Sequence, residues 1–406
     1  MDVCMITPDS LMIDRRILLE ARTLVKAGHN VTLLGGFECK KEEFYVDEGV
    51  KVYRSVYDWD DNRLKKIRNK LPNNDKMKMM VNQLFMKFIQ KLLPINSFEN
   101  YMLNKLMSIE KMDVIHVHDL PCLKVGYHCA KKRKIPLIFD AHEIYYSQET
   151  LNPRYRKKLY RQEKKYIKHC EAVITVNQFI AELMAKRDHI NLPYVIKNCT
   201  ELPTNIDKLR KMDLIRNKYH LGKGSKILLY QGWISPERNI ESLVRSVKYF
   251  NTNIYLVLIG YGDYKKVLEA ICKEEKTEDK IIFVGEVPNE EILSYTVGAD
   301  LGVIPYEPID ENHLYCSPNK LFEFVAGELP FICNKLPFFQ YISEKYGVLL
   351  NTDMKNPKEI GKIVNQLLGE NSNQLLTLKK NCSKAKEILN WEYESHTLKE
   401  IYQRLV

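Results

Sequence analysis

Val114-Ile-His-Val-His118-Asp119 and Leu137-Ile-Phe-Asp140-Ala-His142-Glu143 share one plan, a short apolar run that ends in polar residues. Runs of this length predict buried strands, and the helical pattern between them predicts a parallel pair joined by a crossover helix. The same alternation continues on either side. The first series is Val3–Thr7, Asn30–Leu34, Val50–Arg54, Val114–His118, Leu137–Asp140, Ala172–Val176 and Tyr194–Lys197. A second series is Ile227–Gln231, Ile254–Ile259, Ile281–Val284, Leu301–Pro305, Phe331–Cys333 and Val348–Leu350. Two such series predict the α/β class with two doubly wound domains.

Chain length agrees, since 406 residues at roughly 150 per domain give two or three domains. The break is expected near Asn198-Cys-Thr-Glu-Leu-Pro203, ahead of a charged helix Asp207–Tyr219. This gives an N-terminal domain over 1–200, a C-terminal domain over 201–385 and a terminal segment over 386–406. In that segment Trp391–Leu405 has the spacing of an amphipathic helix. No internal repeat and no low-complexity tract is visible.

With 45% apolar and 28% charged residues, 17 Gly and 16 Pro, the composition excludes collagen, coiled coil and wholesale disorder. The net charge of +10 favours an anionic partner, whether nucleic acid, a phosphate ligand or a membrane surface. Ten Cys without a C-x-x-C pair indicate neither a zinc module nor a disulfide framework, which suits a reducing cytosol. The N-terminus enters an apolar strand at once and no run approaches ~20 apolar residues, so neither export nor a membrane span is expected.

Open α/β sheets bind ligands beyond the carboxyl ends of their strands. After the first strand comes Thr7-Pro-Asp-Ser-Leu-Met-Ile-Asp14-Arg15-Arg16, with Asp14 read either as the cap of a helix Arg15–Ala27 or as a ligand-facing residue. No G-x-G-x-x-G follows, which argues against a dinucleotide. Alternation puts His116 and His118 on one side of their strand, and His118-Asp119 and His142-Glu143 at neighbouring strand ends. Buried hydrogen-bonded histidines, a metal site and contacts to substrate hydroxyls all fit, and the last fits best.

In the second half, Gly232 allows close backbone approach and Arg238 stands near a helix start. The sharpest constellation is Ser317-Pro-Asn-Lys320-Leu-Phe-Glu323. Pro318 reads as the first helical residue, Lys320 adds charge to the outward-pointing donors of the first turn, and Glu323 follows one turn on. A helix start with a Lys suits a diphosphate, and the carboxylate can accept two ribose hydroxyls. An exposed i, i+3 ion pair is the plainer alternative.

Taken with Asp14-Arg15, Gly28-His29-Asn30-Val31 and Trp391-Glu392, these residues make the chain resemble the GT-B glycosyltransferases, specifically glycosyltransferase family 4, nearly end to end. The resemblance implies two Rossmann-like domains facing a central cleft, the nucleotide-sugar held mainly by the second, the acceptor by the first, and a terminal helix crossing back. It implies that Arg238 and Lys320 bind the diphosphate with the backbone of Ser317, Asn319 and Leu321, that Glu323 binds the ribose, and that His118 stands near the reacting sugar. Asp14, Arg15, Asp119, His142, Glu143, Gly232 and Tyr315 complete the implied substrate-binding set. Two departures from the family pattern are Tyr315, in place of the first Glu of a pair separated by seven residues, and Trp233, in place of an Arg after the glycine.

The resemblance further implies a retaining hexosyltransferase that uses a UDP- or GDP-linked sugar, with departure assisted by the diphosphate and no metal or other cofactor required. Two basic stretches, Asn62–Lys91 with nine Lys or Arg against one Asp and Arg154–Lys168 with eight against one Glu, read as faces for an anionic bilayer. No nucleic-acid recognition motif accompanies them. The expectation is therefore a cytoplasmic, peripheral membrane enzyme passing a sugar to a glycan or lipid-linked acceptor in surface polysaccharide or glycolipid synthesis. A nucleotide-sugar 2-epimerase and a non-catalytic nucleotide-sugar-binding subunit are the alternatives.

Overall fold

The computed structural model describes residues 1–9, 12–35, 41–55, 98–370 and 372–405. The first sheet contains β1 (Asp2–Ile6), β2 (Asn30–Gly35), β3 (Glu43–Asp47), β4 (Val50–Arg54), β5 (Val114–His118), β6 (Leu137–Ala141), β7 (Ala172–Thr175) and β8 (Tyr194–Val195). The second contains β9 (Lys226–Gln231), β10 (Ile254–Ile259), β11 (Ile281–Gly285), β12 (Leu301–Ile304), β13 (Phe331–Cys333) and β14 (Leu349–Asn351). Their orders are β3-β4-β2-β1-β5-β6-β7-β8 and β11-β10-β9-β12-β13-β14. Every pair is parallel except β3 with β4. Central strands are apolar along their whole length because helices cover both faces, as Leu228, Leu229 and Tyr230 of β9 show by their complete burial.

Each sheet reverses its direction of winding once, between β1 and β5 in the first and between β9 and β12 in the second. Such a switch point opens a crevice at the strand ends. The loops leaving β1, β5, β9 and β12 are the ones that meet between the domains.

Three local differences from the sequence expectation have simple causes. β3 is an antiparallel edge strand whose Phe44, Tyr45 and Val46 are exposed, so it has neither the buried run nor the alternation that marks the other strands. The charged helix expected over 207–219 is two helices, Ile206–Met212 and Leu214–Lys218, broken at Asp213, whose φ is 41°. The strand expected from Tyr194 stops at Val195. There Ile196 turns into the core and its carbonyl accepts from Arg16 Nη1 at 2.7 Å.

The helix Trp391–Gln403, capped by Asn390, packs on the helix Arg15–Lys26 of the first domain. Trp391 Nε1 donates to Thr23 Oγ1 at 2.9 Å, and Trp391, Leu398, Ile401 and Tyr402 join Val3, Met5 and Ile17 in one apolar cluster. Burying one aromatic side chain of this size stabilises by roughly 1.5–3 kcal/mol, enough to hold a helix that crosses from the second domain.

Candidate active site

The two switch points face each other across a cavity of about 460 Å³. On the second-domain wall, β9 ends in Gln231 and Gly232, the latter at φ 127°. A Cβ at Gly232 would come within 2.8 Å of Lys320 Nζ, so the glycine makes room for that side chain. Lys320 lies in the first turn of the helix Asn319–Ala326, buried, with Nζ 4.2 Å from the centroid of the Tyr230 ring and 4.9 Å from that of Tyr306. The Arg238 guanidinium stacks 4.5 Å from the same Tyr306 centroid. Lys320 Nζ, Arg238 Nε and Ser317 Oγ are buried without a hydrogen-bond partner.

Burial pushes the Lys320 ammonium below the usual lysine range, with Arg238 adding repulsion. Two cations on aromatic faces with no anion between them are costly unless a ligand supplies the negative charge. Pro318 is the cap of this helix, so the helix starts at Asn319, one residue later than the sequence suggested.

Glu323 stands one turn on, where Gln231 Nε2 donates to Oε2 and Arg15 Nη2, from the first domain, donates to Oε1 at 2.6 Å. The pair joins the two domains through residues 308 apart in the chain. Asp14 is the helix cap, its Oδ1 accepting from Arg16 N at 2.7 Å, and the residue also lines the cavity.

On the first-domain wall, Asp119 (φ 61°), His142 and Glu143 line the cavity. Asp119 Oδ1 accepts from the His142 backbone N–H at 3.1 Å, and burial raises the Asp119 carboxyl to about 7. Burial opposes the charge on His142. Asp119 at 3.9 Å and Asp140 at 3.3 Å nonetheless raise it to about 10, so His142 is an imidazolium at neutral pH. Burial also raises Glu143, which accepts from Asn312 Nδ2 at 2.9 Å.

His118 departs from its expected place. It is fully buried and stands behind His142, with its Nδ1 3.2 Å from His142 Nε2, and burial lowers it to about 4. The face of β5 that carries His116 and His118 is covered by the helices Arg15–Lys26 and Trp391–Gln403, and it is His142, not His118, that lines the cavity. Two other expectations also fail on position. The Leu321 side chain is in the core and its N–H donates to Pro318 O at 3.1 Å. Tyr315 stacks on Phe179 at 6.5 Å, and its carbonyl accepts from Asn177 Nδ2 at 2.8 Å, away from the cavity. The remaining expected residues, Gly232, Arg238, Ser317, Asn319, Lys320 and Glu323, come together on one wall.

Several participants were not picked out in the sequence. Arg16 is buried and donates to both oxygens of Asp140 at 2.8 Å, to Glu20 at 2.9 Å and to Asn198 Oδ1 at 2.9 Å. Asn198 Nδ2 donates to Ser317 O at 2.8 Å, which fastens the second-domain loop to the first domain. Asn312 does the same by accepting from Ile144 N at 3.0 Å. Glu20, His116, His118 and Asp140 bring donor atoms within 4.8 Å of one another, as metal ligands do. Arg16 already pairs with both carboxylates and supplies the positive charge there.

Two doubly wound domains that meet at their switch points, with an anion-ready cavity between them, define the GT-B architecture. A family model for Glycosyltransferase Family 4 matches residues 13–202, and one for Glycosyl transferases group 1 matches 211–387. The chain belongs to the GT-B glycosyltransferases of the family 4 type. It is 26% identical over 221 residues to an uncharacterised glycosyltransferase of Methanocaldococcus jannaschii, a match covering 50% of this chain and 54% of that one, so it spans about half the length of this relative. It is 25% identical over 297 residues to the alpha-monoglucosyldiacylglycerol synthase of Acholeplasma laidlawii, covering 67% of this chain and 70% of that one. HepE of Anabaena, solved with UDP and glucose, shares the fold over the whole of both chains at a TM-score of 0.69 and 14% identity.

Proposed function

We propose that this chain is a retaining glycosyltransferase that moves a sugar from a UDP- or GDP-linked donor to a glycan or lipid-linked acceptor in surface polysaccharide or glycolipid synthesis. The observation that carries the reading is the set of buried, unpartnered donors Lys320 Nζ, Arg238 Nε and Ser317 Oγ at the second switch point. A diphosphate supplies the charge they lack, and Glu323 one turn away accepts the ribose hydroxyls once Arg15 releases it. The family relatives and the UDP held by HepE support the choice of ligand.

In the reaction, the bond from the anomeric carbon to the diphosphate oxygen breaks and the acceptor oxygen bonds to that carbon on the same face. The acceptor's proton passes to the departing phosphate oxygen. Lys320 and Arg238 stabilise the charge that grows on the diphosphate, in a cavity where such interactions are stronger than in water. The His142 imidazolium, held by Asp119 and Asp140, presents a donor to the sugar or to the departing oxygen.

The acceptor side is the first domain, and the helix Pro153–Tyr166 supports a bilayer-bound acceptor. Its Leu159, Glu163 and Tyr166 face inward, while Arg154, Lys157, Lys158, Arg161, Lys164 and Lys165 are exposed. The other basic stretch, Asn62–Lys91, lies outside the described residues. Among the described residues no helix is long and apolar enough to cross a membrane. We place the enzyme peripherally at the cytoplasmic face. Incubation with a panel of UDP- and GDP-sugars tests the reading through donor hydrolysis and transfer to membrane extract. Transfer with the anomeric configuration kept supports it, and the absence of binding or turnover with every donor overturns it.

A further inference from the structure

The cavity holds one more orphan that no step above uses. His313 stands in the short helix Glu311–Leu314, is 7% exposed and lines the cavity, and its Nε2 is buried without a hydrogen-bond partner. Asp310 Oδ1 accepts from the His313 backbone N–H at 2.7 Å and lies 2.9 Å from His313 Nδ1. A carboxylate paired this way accepts, so Nδ1 carries the hydrogen, the ring is held in place, and Nε2 is left as its unpaired acceptor. Asp310 Oδ2 accepts from the Glu149 backbone N–H at 2.9 Å, so the pair is anchored from the first domain as well. Tyr306 meets the imidazole edge-on, 6.2 Å between centroids.

The position along the cavity follows from the contacts. Lys320 lies over Tyr230 and Tyr306, Arg238 over Tyr306, and His313 meets Tyr306 edge-on, while the adjacent Asn312 donates to Glu143 of the first domain. Glu323 instead bonds to Gln231 and Arg15, so His313 lies at the Glu143 end of the cavity. A donor with its ribose on Glu323 and its diphosphate on Lys320 and Arg238 lays its glycosyl group at that end. We propose that His313 hydrogen-bonds through Nε2 to a hydroxyl of the donor's glycosyl group and so helps to select the sugar. The inference rests on the donor reading above and adds to it a residue for the sugar itself.

The experiment compares wild type with His313→Ala and His313→Gln by calorimetry, using UDP-glucose, UDP-galactose, GDP-mannose, UDP and GDP. For the sugar nucleotide that wild type binds best, His313→Ala should weaken affinity about 3- to 10-fold, as for the loss of one hydrogen bond, with His313→Gln in between. UDP and GDP, which lack the glycosyl group, should change by less than about twofold. An equal loss for sugar nucleotide and free nucleotide assigns His313 to the phosphates and overturns the proposal, as does no loss for either. Should the Ala variant fail to fold, the Gln variant is read by the same criteria. Wild type binding none of the five probes overturns the donor reading itself, and that outcome is separate from a failure at His313 alone.

Discussion

Lys320 keeps a buried ammonium over two phenol rings, its Nζ without a hydrogen-bond partner. Replacing it with Met keeps the stem and removes the stranded charge. Lys320→Met should therefore raise the stability of the unliganded protein by about 1–3 kcal/mol while weakening UDP or GDP binding by at least about tenfold. Urea unfolding and calorimetry on the same preparation check both halves, and a variant that loses stability together with affinity contradicts the reading. His142 gives a pH signature. Its folded pKa, about 10, lies above the ordinary 6.5, so its contribution is complete below ~6.5 and is lost as pH rises towards about 10. Stability should fall across that window in wild type, and His142→Gln should flatten the fall; parallel curves for the two proteins would remove His142 from the account. Residue types and spacing exposed Lys320, Glu323 and His142 in the sequence. They left His118 misplaced, because strand alternation tells which side a residue faces and not what covers it. Arg16, Asn198 and Asn312 were hidden for another reason, their partners being 119 to 182 residues away in the chain.

Strands were legible wherever burial forced a continuous apolar run, and β9 was read to within one residue. β3 was not legible, since an edge strand with exposed side chains leaves no such record. The helix Pro153–Tyr166 was visible only as charge, and its inward face of Leu159, Glu163 and Tyr166 sets which cations look outward. Each exposed Lys or Arg near an anionic surface contributes about 1 kcal/mol, so three reversals should abolish adsorption. Lys157→Glu, Lys158→Glu and Arg161→Glu together should move the protein from pellet to supernatant when vesicles containing anionic lipid are sedimented at low salt. Equal sedimentation of variant and wild type would leave this helix a solvated face.

The two domains are tied by directed contacts that include Arg15 to Glu323, Asn198 to Ser317, Asn177 to Tyr315, Glu149 to Asp310, Asn312 to Glu143 and Ile144, and the helix Trp391–Gln403 lying on the first domain. The Arg15–Glu323 pair holds the carboxylate that a ribose needs. Arg15→Ala should free it and tighten UDP or GDP binding about 2- to 10-fold, as expected when one partly exposed ion pair no longer competes. Weaker nucleotide binding in that variant would instead make Arg15 a ligand of the donor. The Trp391–Gln403 helix has a further consequence during synthesis. Trp391 bonds to Thr23, 368 residues earlier, and Trp391, Leu398, Ile401 and Tyr402 complete a cluster begun by Val3 and Met5. Chains emerge from the ribosome N-terminus first, at roughly 5–20 residues per second. The domain made first thus waits, with part of its apolar surface uncovered, while the whole second domain is translated, and is sealed only once Trp391–Gln403 has emerged behind it.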